Sequence, residues 1–123
     1  MTRRSITIPV PAPERWLTTN DRSHWAARHR ATKAWRTAAG WRARQQRLGC
    51  VLSPYAVHAV VHKPTRRLYD VDGITPSVKA CLDGFRDAGL VADDDWRHMA
   101  SITVAAGDPG PACLVITLTE LNP

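Results

Sequence analysis

A chain of 123 residues has room for one domain with a modest core, burying roughly 65% of the unfolded surface. Its 17 Lys and Arg against 11 Asp and Glu give a formal charge of +6, which points toward a polyanionic partner or an Arg-rich solvated surface. No run approaches the ~18 apolar residues of a membrane span, and the opening MTRRSITIPVPAP lacks an apolar region with a cleavage site, so the chain reads as soluble and cytoplasmic.

The charge is divided. Residues 1–67 carry fourteen Lys and Arg against Glu14 and Asp21, a formal +12, whereas residues 68–123 carry three cations against nine acids, a formal −6. Three cysteines without CxxC spacing, Cys50, Cys81 and Cys113, suggest neither a disulfide framework nor a thiolate zinc site.

In chain order, Ser5–Val10 alternates Ile6, Ile8 and Val10 with polar or Pro positions, which predicts a strand that Pro9 and Pro11 end, placing it at a sheet edge or its close at the sheet margin. A loop with Trp16 and TTNDR follows. Helical spacing of Ala27, Ala31, Ala34, Ala38, Trp41 and Leu48, with Trp35 beside them, predicts a helix from about Ser23 to Leu48, closed by Gly49. Its opposite face gathers Lys33, Arg36, Arg44 and Arg47, either a phosphate-contacting ridge or an ordinary solvated face.

Ala56–His62 alternates as a second strand. There His58 and His62 stand ~13 Å apart, too far to share a metal, and read as structural or surface residues. Lys63, Arg66 and Arg67 then form a basic approach to an acidic motif. A second helix is marked by Thr75 as N-cap, Pro76 in the first turn, the stripe Val78, Cys81, Leu82 and Phe85, and Gly89 past the end. Met99–Ala106 and Ala112–Leu121 read as strands joined through GDPGP as a hairpin. The resulting order, β-α-β-α-β-β, defines a single α/β or α+β domain over residues 1–123, a small mixed sheet flanked by two helices.

Seven of the eleven acidic residues fall between Tyr69 and Arg97: Asp70, Asp72, Asp83, Asp87, Asp93, Asp94 and Asp95. Gathering carboxylates costs like-charge repulsion unless a cation neutralises them, and a divalent metal is the expected neutraliser. In extended backbone, Asp70 and Asp72 would point to one side and share an ion. Asp94 would add the next ligand if the chain after Gly89 folds back along the helix. Lys79 would set an ammonium at a phosphate, or else pair with Asp83 one turn on; Asp87 reads as a solvated charge. An EF-hand is excluded, because ITPSVK follows DVDG without oxygen ligands or a terminal Glu.

RRLYDVD and KACLDGFRDAGLVADDD, with the opening SITIPVP and the closing LVITLTE, resemble the RusA family of Holliday-junction resolvases over nearly the full length. In that family a basic pair precedes DxDN, followed by a Lys, an Asp four residues later, a Gly and an Asp-Asp pair. Here Gly73 stands where the family has Asn, and ITP lengthens the step from Asp72 to Lys79. The resemblance implies a RusA-like fold, with Asp70, Asp72 and Asp94 as metal-binding catalytic carboxylates and Lys79 as the catalytic lysine. The third ligand's register across Asp93, Asp94 and Asp95 stays open, with Asp94 preferred for its distance from Asp83. Asp83, Asp93 and Asp95 would stand behind the ligands and orient them. Arg66, Arg67, Lys33, Arg36 and Asn20 would contact DNA. The implied cofactor is Mg²⁺, with Mn²⁺ as a substitute and no nucleotide cofactor. The implied partners are a four-way DNA junction and a second copy of the chain, with no membrane.

The leading expectation is therefore a Mg²⁺-dependent, structure-selective endodeoxyribonuclease acting in DNA recombination and repair. Its rival is a non-catalytic junction- or DNA-binding protein whose acidic cluster is structural or vestigial. A protein-interaction domain with little affinity for DNA is the third.

Overall fold

The computed structural model describes residues 4–22, 24–46 and 52–121. Ser23, Arg47, Leu48, Gly49 and Cys50, named above at the ends of the first helix, lie outside the described residues. The elements are β1 (Ser5–Pro11), α1 (Trp25–Gln45), β2 (Tyr55–His62), a 3₁₀ turn (Asp72–Ile74), α2 (Thr75–Asp87), β3 (Met99–Ala106) and β4 (Cys113–Glu120). They build a mixed α+β fold of one four-stranded sheet and two helices. Among the described residues, no helix is long and apolar enough to cross a membrane.

The sheet order is β1-β4-β2-β3, with β4 antiparallel to both β1 and β2, and β3 parallel to β2. The expected β3–β4 hairpin does not form: β2 lies between those strands. Instead β2, α2 and β3 make a parallel crossover, which needs a connection of helix length, and α2 supplies it. The GDPGP segment crosses the end of β2. There the Gly107 amide donates to the Val61 carbonyl (2.8 Å), the Gly110 amide donates to that of Lys63 (2.9 Å), and His62 Nδ1 pairs with the Asp108 carbonyl (2.9 Å). β1 occupies an edge, where Pro9 and Pro11 withhold amides at little cost.

Alternation gives the sheet one buried face. Ile8 and Val10 from β1, Tyr55, Val57, Ala59 and Val61 from β2, and Leu114, Ile116 and Leu118 from β4 are buried. They pack in one core cluster with Trp35 of α1 and Val78, Cys81, Leu82 and Phe85 of α2, so the predicted stripe of α2 is the buried one. The stripe of α1 is shifted. Ala31, Trp35, Ala39, Gly40 and Ala43 are buried, whereas Trp41 is 63% exposed. The reason is the partner: α1 packs on α2, and small residues set their closest approach. A Cβ on Gly84 would stand 2.2 Å from the Arg36 carbonyl oxygen and 2.9 Å from the Gly40 nitrogen. The helices meet backbone to backbone there, which leaves no room for an indole.

Thr75 is not an N-cap. The helix begins at Thr75 itself, continuous with the 3₁₀ turn, and the Thr75 hydroxyl donates to the Asp72 carbonyl at 2.7 Å. The far end is as anticipated: Gly89 has φ +80°, and its amide and that of Leu90 donate to the Arg86 and Phe85 carbonyls, both at 3.0 Å, in a Schellman closure.

Candidate functional site

The acidic motif does not lie on extended backbone. The Gly73 amide donates to the Asp70 carbonyl (3.1 Å) and the Ile74 amide to the Val71 carbonyl (3.2 Å), winding Asp70–Ile74 into a turn. Val71 is helical, at φ −60°, ψ −45°. Residues two apart on such a turn do not share a face, so Asp70 and Asp72 are not aligned as they would be on an extended chain. Both are exposed, and neither side chain accepts a hydrogen bond among the described residues. A Cβ on Gly73 would meet Asp70 Cβ and Thr19 Oγ1 at 3.5 Å, ordinary contact, so the family's Asn could begin its side chain here.

The TTNDR loop is held against this turn. The Thr19 amide donates to the Gly73 carbonyl (3.0 Å), which sets the exposed Asn20 beside the acidic motif. Ser77, fully buried in the first turns of α2, fastens the same loop: its hydroxyl donates to the Leu17 carbonyl (3.0 Å) and accepts from the Leu17 amide (2.8 Å). Nothing in the sequence distinguished Ser77 from a helix-surface serine.

Lys79 points to Asp94, not to Asp83. Its ammonium donates to Asp94 Oδ2 across 15 residues of chain, so the segment after Gly89 does fold back along α2. This hydrogen bond chiefly holds the Asp94 carboxyl below the usual carboxylate range, against a smaller opposing effect of burial. Asp72 and Lys79 are seven residues apart on nearly continuous helical backbone, hence on one face and roughly 11 Å apart along the axis. Arg86, two turns past Lys79, bridges Asp93 Oδ1 (3.3 Å) and Asp83 Oδ1 (3.7 Å).

The Asp93–Asp95 segment is fixed from below. The buried Tyr55 hydroxyl donates to the Asp93 carbonyl (2.6 Å), and Asp93 Oδ1 accepts from the Asp94 amide (2.8 Å). Burial, then the negative charge of Asp94 and Asp93, pushes the Tyr55 hydroxyl up to about 12. Asp95 belongs to Arg97, which donates to its two oxygens at 3.3 and 2.9 Å and thereby lowers its pKa. The triple Asp thus resolves into three partners, Arg86, Lys79 and Arg97, and Asp94 alone meets Lys79. Tyr55 was missed as a site anchor; an aromatic opening a strand ordinarily signals core.

Asp87 is exposed, as a solvated charge would be, but it has a partner. Arg36 donates to it through two nitrogens, at 2.5 and 2.8 Å, and ties α1 to α2. Beside this pair, Lys33, Thr37, Gly40 and Arg44 line a shallow interhelix groove. A second cleft, lined by Lys63, Arg66, Arg67, Leu68, Tyr69 and Gly107, opens directly upstream of the acidic turn. Lys63 is held over the Tyr69 ring (4.2 Å) and near that of Trp16 (5.5 Å), and burial lowers its pKa. Arg66 and Arg67 form no ion pair among the described residues.

Carboxylate oxygens suit a hard divalent cation. Among the described residues, however, no group of three His, Cys, Asp or Glu side chains could hold a metal ion. Asp70, Asp72 and Asp94 do not form such a group. Asp70 and Asp72 lie on the turn that precedes α2, and Lys79 is paired with Asp94.

No family model and no curated protein matches the chain. Among solved structures it is similar to thiamine-monophosphate kinase from Stenotrophomonas maltophilia K279a, at 15% identity and a TM-score of 0.37. The match covers 95% of this chain and 30% of that one, and a likeness of this size bears on neither fold nor function.

Proposed function

We propose that this chain is a RusA-type endodeoxyribonuclease that nicks four-way DNA junctions, depends on Mg²⁺ and works as a homodimer. The observation that carries the reading is the meeting of Lys79 with Asp94 on the same face of α2 as Asp72, beside a cleft that presents Arg66 and Arg67. A cation and unpaired carboxylates next to a basic approach suit a negatively charged backbone being cut, because the ammonium can stabilise charge that develops on a phosphate oxygen. The resemblance in RRLYDVD and KACLDGFRDAGLVADDD supports the same reading. A junction's near-twofold symmetry calls for two equivalent cuts, hence for two copies of the chain. Asp70, Asp72 and Asp94 are the residues assigned to Mg²⁺. Against that assignment, no group of three side chains able to hold a metal forms among the described residues.

A second reading, a junction- or DNA-binding protein without catalysis, draws on the same basic cleft and on the want of a three-residue metal group among the described residues. Synthetic four-way junctions incubated with the wild-type chain, with Mg²⁺ or with chelator, separate the two. The nuclease gives paired, symmetric nicks that chelator abolishes, that Asp72→Asn and Asp94→Asn remove, and that Lys79→Ala slows by about 100-fold or more. Tight junction binding that needs no metal and yields no nicks establishes the second reading instead.

A further inference from the structure

Leu68 is fully exposed, although its neighbours are Arg67 on one side and the half-buried Tyr69 on the other. The loop that presents it is pinned at both ends. The Gly110 amide donates to the Lys63 carbonyl (2.9 Å), Lys63 sits on the Tyr69 ring (4.2 Å), and the Gly73 amide closes on the Asp70 carbonyl (3.1 Å). An apolar side chain held out by an anchored loop, at the rim of a cleft lined by Lys63, Arg66 and Arg67, differs from a lone leucine on a solvated helix.

We infer that Leu68 is a wedge that enters a base step of the bound DNA while the cleft's cations hold the phosphates on either side. The inference rests on the nuclease reading and adds to it the feature by which a junction is told from a duplex. Two steps of chain, with Tyr69 between, separate Leu68 from Asp70, at most ~7 Å of backbone, and bases along one strand are ~3.4 Å apart. Insertion therefore acts within about two nucleotides of a phosphate lying at the acidic turn. An apolar wedge costs stacking energy, and that cost is lowest where bases are already poorly stacked, which is at the branch point of a junction.

The experiment uses the full chain in chelator and junctions carrying 2-aminopurine either at the branch or ten base pairs into an arm. Wild type raises the branch-point fluorescence about threefold or more and leaves the arm probe unchanged. Leu68→Ser loses the rise while changing junction affinity by less than about threefold, and Leu68→Phe restores it. In Mg²⁺, Leu68→Ser also narrows the preference for junction over duplex nicking by about tenfold. A fluorescence rise that survives Leu68→Ser overturns the wedge and leaves the nuclease reading intact. So does a change in particle mass by light scattering in Leu68→Ser, which would place Leu68 in contact with a second copy. Failure of wild type to bind junctions at all sinks the wedge and the underlying reading together.

Discussion

Four carboxylates are held in their charged form by a particular cation: Asp94 by Lys79, Asp87 by Arg36, Asp95 by Arg97 and Glu120 by Arg4. In each the hydrogen bond to the cation is the leading cause of a lowered pKa, so the unfolded chain binds these protons at a higher pH than the folded one. Their stabilisation is complete above the ordinary carboxylate pKa of about 4, and disappears as pH falls through the folded values. The urea midpoint should accordingly stay level from neutral pH down to about 5 and drop below about 4. Asp87→Asn should lower the midpoint at neutral pH and flatten the acid limb; an unchanged limb would dissociate Asp87 from acid stability. None of these pairs except Asp95–Arg97 could be read from the chain, because Arg36 and Asp87 lie 51 positions apart and Arg4 and Glu120 lie 116. Local spacing favoured Lys79 with Asp83. The tertiary return of Asp94 outcompeted that i,i+4 pair, itself worth only about 0.3–0.5 kcal/mol at a surface.

The crossing of α1 on α2 depends on Gly84. Alanine in a helix interior ordinarily improves on glycine by about 1 kcal/mol. Here the added methyl would lie 2.2 Å from the Arg36 carbonyl oxygen, a backbone atom that cannot swing aside. Overpacking of this kind costs typically about 1–3 kcal/mol, so the sign should reverse and Gly84→Ala should be destabilising by chemical denaturation. A neutral or stabilised variant would show that the helices part easily. Apolar periodicity made α2 and the alternation of β1, β2 and β4 legible. It mis-set α1, because on an alanine-rich helix the choice between Ala38 with Trp41 and Ala39 with Ala43 is made by the partner helix. The 3₁₀ turn was missed since DVDG carries acidic residues that read equally as loop, and Thr75 has the composition of a cap without the geometry of one. GDPGP has the chemistry of a tight turn, but turn chemistry says nothing about whether its flanking strands are neighbours.

Across the whole molecule, six of the fourteen cations of the first 67 residues line two concave places, the interhelix groove with Lys33, Arg44 and the Asp87-paired Arg36, and the cleft with Lys63, Arg66 and Arg67; the last three with Lys33 and Arg44 make five cations that lack a carboxylate partner among the described residues. If all five cations engage phosphates, each contributes about −0.9 to the slope of log affinity against log salt, for a total of roughly −4.5. Replacing Arg66 and Arg67 together by Ala should make that slope shallower by about 2 without altering preference among base sequences, measured by anisotropy between about 50 and 200 mM salt. A slope near zero would argue for the protein-interaction alternative. The division of charge along the chain was visible at once. Its arrangement into a groove and a cleft was not, because it depends on how α1 and the GDPGP crossing are packed.

The placement of β4 also bears on how the protein is made. Cys113–Glu120 emerges last among the strands, yet it alone joins β1 to β2. At ~5–20 residues per second, a nascent chain spends several seconds with Ser5–Pro11 exposed and unsatisfied before its neighbour leaves the ribosome. During that interval the prolines at positions 9 and 11 leave the strand's outer edge without the amides another chain would need, so that edge at least is guarded against premature pairing.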